Sequence, residues 1–451
     1  MKYLTRLSRC CRKLAAECVT VSQAFMVPQT TLHGAVQEVP QILLALPAKD
    51  LMSLSASCKG LRTMVHAFVT KIQIRKYRRS PVTDARLLVG GGWTQLQRLN
   101  LTKAGLDEAS LAVLAHGDWT LMQELNLSAN KLDAAEIRHF SQGNWPALRI
   151  LDLSQNQISS YAMAHILSCD LPNLQSLDLS WNAMEGCIPM LTHCRWPKLE
   201  NLNLSRNGLD GACATQLVSG NWPMLTSLNL SHNSIPTSAI GQLRSAGWPL
   251  LETLNLEGCW HRGVGRDPGD NETQAQVQAF HDLAQCSWHH LQCLNLTRCN
   301  IDAACMQELC AAQWPRLTML DLTASCLTGN ALNCLVDSPW LHLQHLTMNI
   351  CQVDNTAVSY LSRRQWPSLS TLSLTGNDIG VDGFRALLQG KWPMLTELDL
   401  SNNSFGSDSV VTFNPGCQLL LEIGRHFVAP PGWLLECWPK LEVLNLSYCK
   451  R

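Results

Sequence analysis

No charge of one sign dominates this sequence: Lys+Arg and Asp+Glu each total 35 among 451 residues. That balance argues against a general nucleic-acid binder, which carries a basic excess, and leaves room only for a local basic patch. Charged residues are few, 16% against 46% apolar, a mixture that buries a core and is unlike a disordered chain. No run of about 18 apolar residues occurs, so no membrane span is expected. The N-terminus lacks the apolar run of a secretory signal. It carries Lys2, Arg6, Arg9, Arg12 and Lys13 before its first acid, Glu17. Residues 1–29 read as a basic tail or short basic helix; a mitochondrial presequence has the same look. There is no P-loop, no G-x-S-x-G and no H-E-x-x-H. Asp, His and Ser are scattered without the local clustering that acid–base chemistry needs. No catalytic residue and no cofactor are expected, and a site assembled across repeats stays open.

What is present is repetition. WPALRILDLSQN from Trp145, WPKLENLNLSRN from Trp196, WPMLTSLNLSHN from Trp222 and WPMLTELDLSNN from Trp392 are variants of one unit. Tryptophan recurs in phase from Trp93 to Trp438, with Leu171 standing in once, which makes thirteen units, mostly 26 residues apart. A repeat at this spacing signals a solenoid, in which each unit buries its apolar face only by stacking on its neighbours.

Each unit reads L-x-x-L-x-L-x-x-N/C. The alternating leucines, such as Leu151 and Leu153, put one face of a short strand into the core. The N/C position is Asn at 130, 156, 182, 207, 233, 377 and 403 and Cys at 259, 299, 351 and 449. A stacked asparagine satisfies backbone groups of the bend; a cysteine is expected to fill the slot as a small apolar group. The next segment, DAAEIRHFSQGNW for example, has helical spacing. Gly143 and Gly220 are expected to end their helices, and the in-phase tryptophans to pack in the core.

This pattern resembles the leucine-rich-repeat family, most closely its cysteine-containing type, over residues 69–451. The resemblance implies an α/β fold: a solenoid (horseshoe) with a parallel sheet on the concave face and helices outside. The twenty cysteines are then mostly reduced, in a cytoplasmic or nuclear protein. Several Asn-Leu-Ser/Thr triplets match the glycosylation acceptor, but the repeat itself generates them.

Residues 30–68 do not fit the repeat. They carry Ile42, Leu43, Leu46, Pro47, Asp50, Leu51, Leu54, Cys58, Lys59, Leu61, Arg62 and Met64. In that order these resemble an F-box, a small helical segment that binds a Skp-type adaptor. The usual L-P-x-E start is absent, Pro40 interrupts the first helix, and Leu61 stands where tryptophan is common. The resemblance implies the substrate-recognition subunit of a Skp–cullin–F-box ubiquitin ligase, not itself an enzyme. Leu46, Pro47, Leu51, Leu54, Cys58 and Leu61 would face the adaptor, and the repeats would bind an unknown target protein. The alternative is a leucine-rich-repeat scaffold without ubiquitin chemistry, whose N-terminal helices only cap the solenoid.

Two places are candidates for the target. Outward positions inside the strands are nearly uniform, from Asn100 to Asp399, which suggests structure. The position two residues after the second strand leucine varies. There Trp181, Arg206 and His232 follow one another on adjacent strands, with Arg298 further along. Trp and Arg are favoured anchors of interfaces, and Trp181 lies outside the packing phase. The other candidate is an insertion near 258–273, rich in Gly, Pro and charge, that carries Trp260 and Arg262. A second insertion, near 406–435, reads as a loop or a cap over the last strand. Cys286, His289, His290 and Cys293 have zinc-like spacing, but the repeat sends them in different directions, so no metal is expected.

Overall fold

The computed structural model describes residues 69–74, 81–91, 93, 95–193, 196–259, 270–405, 426–427 and 434–449. The tail, the six F-box-like positions Leu46, Pro47, Leu51, Leu54, Cys58 and Leu61, and Trp260 and Arg262 lie outside the described residues. Two compact units are present, the first ending at Leu174 and the second beginning at Gln175.

The first unit stacks β1 (Lys71–Gln73), β2 (Arg98–Asn100), β3 (Glu124–Asn126) and β4 (Ile150–Asp152) in parallel, each in register with the next. The middle residue of each strand is buried and its neighbours face outward. Helices Pro81–Gly91, Glu108–Ala115, Ala134–Phe140 and Ser160–Ser168 follow the strands. Two of these helices begin with capping boxes: Asp107 accepts from Ser110 N, and Glu136 reaches back to Asp133 N. Such boxes satisfy donors that the first turn leaves open.

The tryptophans finish these helices. Trp119 and Trp145 stack with ring centres 6.2 Å apart. Their indole N–H groups donate to Leu114 O and Phe140 O, at 2.7 and 3.1 Å. One side chain therefore fills the core and gives a helix-end carbonyl a second donor, beside Gly117 N at Leu114 O and Gly143 N at Phe140 O.

The second unit repeats the plan. Its strands are β5 (Ser176–Asp178), β6 (Asn201–Asn203), β7 (Ser227–Asn229), β8 (Thr253–Asn255), β9 (Cys293–Asn295), β10 (Met319–Asp321), β11 (His345–Thr347), β12 (Thr371–Ser373), β13 (Glu397–Asp399), β14 (His426–Phe427) and β15 (Val443–Asn445). They run parallel in chain order, except that β15 lies between β13 and β14, and β14 pairs with it antiparallel. The helices of several units are short. Thr237–Ile240 passes directly into a 3-10 turn, Gly241–Ser245, and one unit has only the 3-10 turn Asn333–Asp337. The first insertion is not a loop throughout, for a helix begins at Asp270 and runs to Ala284.

Leucine, isoleucine and tryptophan make the core of both units, each such side chain contributing about 1.5–3 kcal/mol on burial. Trp222, Trp248 and Trp438 are at most 1% exposed, yet their N–H groups meet no acceptor among the described residues. Here apolar area outweighs a lost hydrogen bond, which is a smaller net term.

Two expectations change. Gly143 and Gly220 do not use glycine's left-handed backbone; they make room for a ring. A Cβ on Gly143 would stand 2.6 Å from Trp145, and one on Gly220 would stand 2.5 Å from Trp222. The cysteines of the N/C position also do more than fill space, because Cys259 and Cys351 donate their thiols to Leu230 O and Leu322 O, both at 3.1 Å.

The asparagines knit the bends as expected. Asn233 accepts from Asn207 N and Leu209 N at 2.9 and 3.1 Å, and donates to Leu204 O and Leu230 O at 3.0 and 2.7 Å. Among the described residues, no helix is long and apolar enough to cross a membrane.

Candidate functional site

The outward face of the strands is held by its own chemistry. In β5, Asp178 accepts from Ser180 N and Ser180 Oγ at 2.8 and 2.6 Å, and its other oxygen accepts from Asn203 Nδ2 at 2.9 Å. This arrangement recurs where Asp399 accepts from Ser401 N and Asn445 Nδ2. The uniform Asp/Asn and Ser/Thr rows are therefore a structural ladder.

The residue after each such Ser or Thr stands differently. Trp181, Arg206, His232 and Arg298 lie in the bends that leave the strands, all with left-handed backbone, φ 56°, 56°, 56° and 59°. Side chains with a Cβ disfavour that region, and a regular network imposes it: Trp181 N donates to Ser205 O, Arg206 N to Ser231 O and Arg298 N to Thr323 O at 2.8–3.0 Å. The left-handed turn projects each side chain from a fixed rim.

On that rim the structure brings two predicted residues, Trp181 and Arg206, into contact, with His232 in the next bend. The Arg206 guanidinium carbon lies 4.4 Å above the Trp181 ring, a cation–π geometry. Trp181 is 53% exposed, whereas the in-phase tryptophans from Trp93 to Trp438 are at most 4% exposed. His232 Nε2 lies 3.4 Å from Glu257 Oε1. Glu257 takes the place that Ser or Thr holds in most units, a substitution that the sequence reading passed over. Arg298 stands apart from this group, with Gly258 occupying the intervening bend.

A second feature was also missed. Thr253, Cys293, Met319 and His345 open β8 to β11, and a shallow depression of about 210 Å³ lies over these strands, with Asn255, Asp321 and Thr347 on its wall. The signal was the variable first strand position, where Cys293, Met319 and His345 follow one another.

Cys286, His289, His290 and Cys293 do not converge. Cys286 is buried with its thiol toward Asp282 O, His289 is exposed, His290 meets Arg316, and Cys293 lines the depression. Among the described residues no group of three or more His, Cys, Asp or Glu is placed to hold a metal. The described cysteines are free thiols. Burial pushes Cys259 and Cys351 up to about 12, so they stay protonated and unreactive at neutral pH.

Family comparison agrees with the geometry. The model described as "Leucine rich repeat" matches residues 120–184, and a second of that description matches 223–235, 289–310, 367–388 and 393–413. The chain carries leucine-rich repeats, which imply a role in protein–protein interaction, and solenoids of this kind are typically binding scaffolds without catalysis. Comparison with curated proteins gives no match.

Among solved structures the chain is similar to an internalin (inlF) of Listeria monocytogenes. That alignment has 17% identity, covers 80% of this chain and 89% of that one, and has a TM-score of 0.45. A chain of the Rad7 and Elc1 complex in yeast aligns at 16% identity, covering 92% of each chain with a TM-score of 0.48. LegL7 of Legionella pneumophila, a leucine-rich-repeat-containing protein, aligns at 20% identity over 56% of this chain and 82% of that one, with a TM-score of 0.40.

Proposed function

We propose that this chain is a protein-recognition subunit. The repeats hold a target protein, and residues 30–68 dock on the Skp-type adaptor of a Skp–cullin–F-box ubiquitin ligase. The observation that carries the target half is the Trp181–Arg206–His232 rim. An exposed tryptophan stacked under an arginine, on backbone fixed by hydrogen bonds, is a preorganised anchor of the type that dominates interface energies. Arg298, and Trp260 and Arg262 of the insertion, are further contacts of the target in this reading.

The adaptor half rests on the F-box resemblance, with Leu46, Pro47, Leu51, Leu54, Cys58 and Leu61 as its contacts. Ubiquitin transfer then belongs to other subunits, and the chain itself is no enzyme. The test is size-exclusion chromatography with light scattering of the full chain, and of a version beginning at residue 69, each mixed with a Skp-type adaptor. A 1:1 complex formed by the full chain alone, and lost on Leu51→Glu and Leu54→Glu, supports the reading. If neither version binds, the adaptor half falls, and the chain is a scaffold whose N-terminal helices cap the repeats.

A further inference from the structure

We propose that the open sheet face of the second unit takes an extended, Lys- or Arg-bearing segment of the partner protein. The proposal rests on the reading of the repeats as a protein-binding surface and adds the chemistry of what binds. The two units treat charge on their strands differently. In the first, Glu124 of β3 lies 3.3 Å from Arg98 of β2, so a cation of the same face matches the acid. In the second, no outward strand position of β5–β13 or β15 is Lys or Arg, while Asp178, Asp321, Glu397 and Asp399 stand there and Glu200 and Glu252 precede β6 and β8. The whole chain is balanced at 35 cations and 35 acids, so this is a local excess rather than an acidic protein.

Not all of these carboxylates are satisfied internally. Asp178 and Asp399 use their second oxygen on Asn203 and Asn445. Asp321 accepts from Thr323 N through one oxygen, and its other oxygen meets no donor among the described residues, nor do the carboxylates of Glu252 and Glu397. Asp321 lies on the wall of the 210 Å³ depression, beside Cys293 and Met319, and Met319 is 46% exposed. An apolar wall next to an uncompensated carboxylate suits a lysine, whose methylene stem buries while its ammonium stays at the charge.

Glu397 opens β13 in register with Met319, two residues before the register partner of Asp321. Three strand spacings and that offset put the two positions about 16 Å apart, which an extended segment covers in about five residues. A partner with basic residues at roughly that interval would meet Asp321 and Glu397 together. Nucleic acid, with its phosphate charge, is repelled by such a face.

The test uses the full-length chain and fluorescence anisotropy with a labelled peptide bearing Lys at every fifth position, next to Gln and Glu counterparts. The Lys peptide is expected to bind and to weaken with added salt. Asp321→Asn and Glu397→Gln should each weaken it by about threefold, as exposed charge pairs do. Asp382→Asn, on a helix, should change nothing. Equal binding of Lys and Gln peptides, or unchanged affinity in both face variants, overturns the proposal. Adaptor co-elution of the same full-length variants scores the ubiquitin half of the proposed function separately. A chain that holds the adaptor but ignores peptide charge loses this inference alone, and one that binds the Lys peptide but no adaptor loses only the ubiquitin reading.

Discussion

The Arg206 guanidinium lies 4.4 Å from the centre of the Trp181 ring, and both residues hold a left-handed backbone at φ 56°. A tryptophan in that conformation costs about 1 kcal/mol, and the cation–π contact, at an exposed position, returns about 0.5–1 kcal/mol. Trp181 therefore contributes little to folding. Asn402 occupies the same bend position with φ 58°, and asparagine tolerates that region. Trp181→Asn is expected to leave the thermal midpoint within a few degrees of wild type and to weaken the target by about 2 kcal/mol, roughly 30-fold. Calorimetry and titration with the isolated target check both halves. A large drop in the midpoint would make Trp181 a core residue instead.

Gly220 and Gly247 offer a paired test of how the tryptophans are seated. A Cβ on Gly220 would stand 2.5 Å from the Trp222 ring, whereas one on Gly247, next to Trp248, would meet nothing within 4 Å. Gly220→Ala should cost about 1–3 kcal/mol through overpacking, and Gly247→Ala should stay within about 0.5 kcal/mol. Urea unfolding of the two variants measures the difference. Equal costs would mean that helix-end geometry, not ring clearance, sets the glycine.

Asn233 makes four hydrogen bonds to buried backbone. Asn233→Ala should therefore destabilise by about 3 kcal/mol or more, since orphaned buried groups carry their full desolvation penalty. Asn233→Cys should cost about 1 kcal/mol less, because Cys259 shows a thiol donating to Leu230 O from the equivalent place in the next unit. Chemical denaturation of both variants under reducing conditions checks the order; alanine equal to cysteine would deny the thiol its donor role.

How far the sequence reveals these features depends on periodicity. Leu151 and Leu153 declare a strand because two-residue alternation is a physical signature of a half-buried strand, and Asn233 declares a ladder because the same side chain returns in the same slot. The left-handed turn at Trp181 is silent in the sequence, since a bulky aromatic argues against it and only the inter-repeat network imposes it. Gly220 was legible as a fixed glycine, but ring clearance and backbone freedom write the same letter. The depression at Met319 was hidden because its residues vary, each at the opening of a separate strand, and only stacking makes them neighbours. Glu257 replaced a Ser or Thr in plain view; what gives it meaning is the distance to His232.

The last prediction follows from the thiols of the bends. Cys259 and Cys351 are buried, and desolvation raises both from 9.0 to about 12; Cys169 and Cys286 are pushed up to about 12 by the same cause. At pH 7 the folded and unfolded chains both hold these protons, so the thiols make stability independent of pH there. Above about pH 9 the unfolded chain releases them and the folded chain does not, so the unfolded state is favoured progressively. Stability should fall by about 1.4 kcal/mol per pH unit for each such thiol until the folded value near 12 is reached. Urea midpoints at pH 7.5, 9 and 10.5 in reductant should therefore be flat at first and then decline. Cys351→Asn places in that bend the residue found in most others and should remove one proton's share of the slope. If the alkaline decline is the same in wild type and Cys351→Asn, the loss belongs to other titrating groups, and the buried thiols are not what the bends lose at high pH.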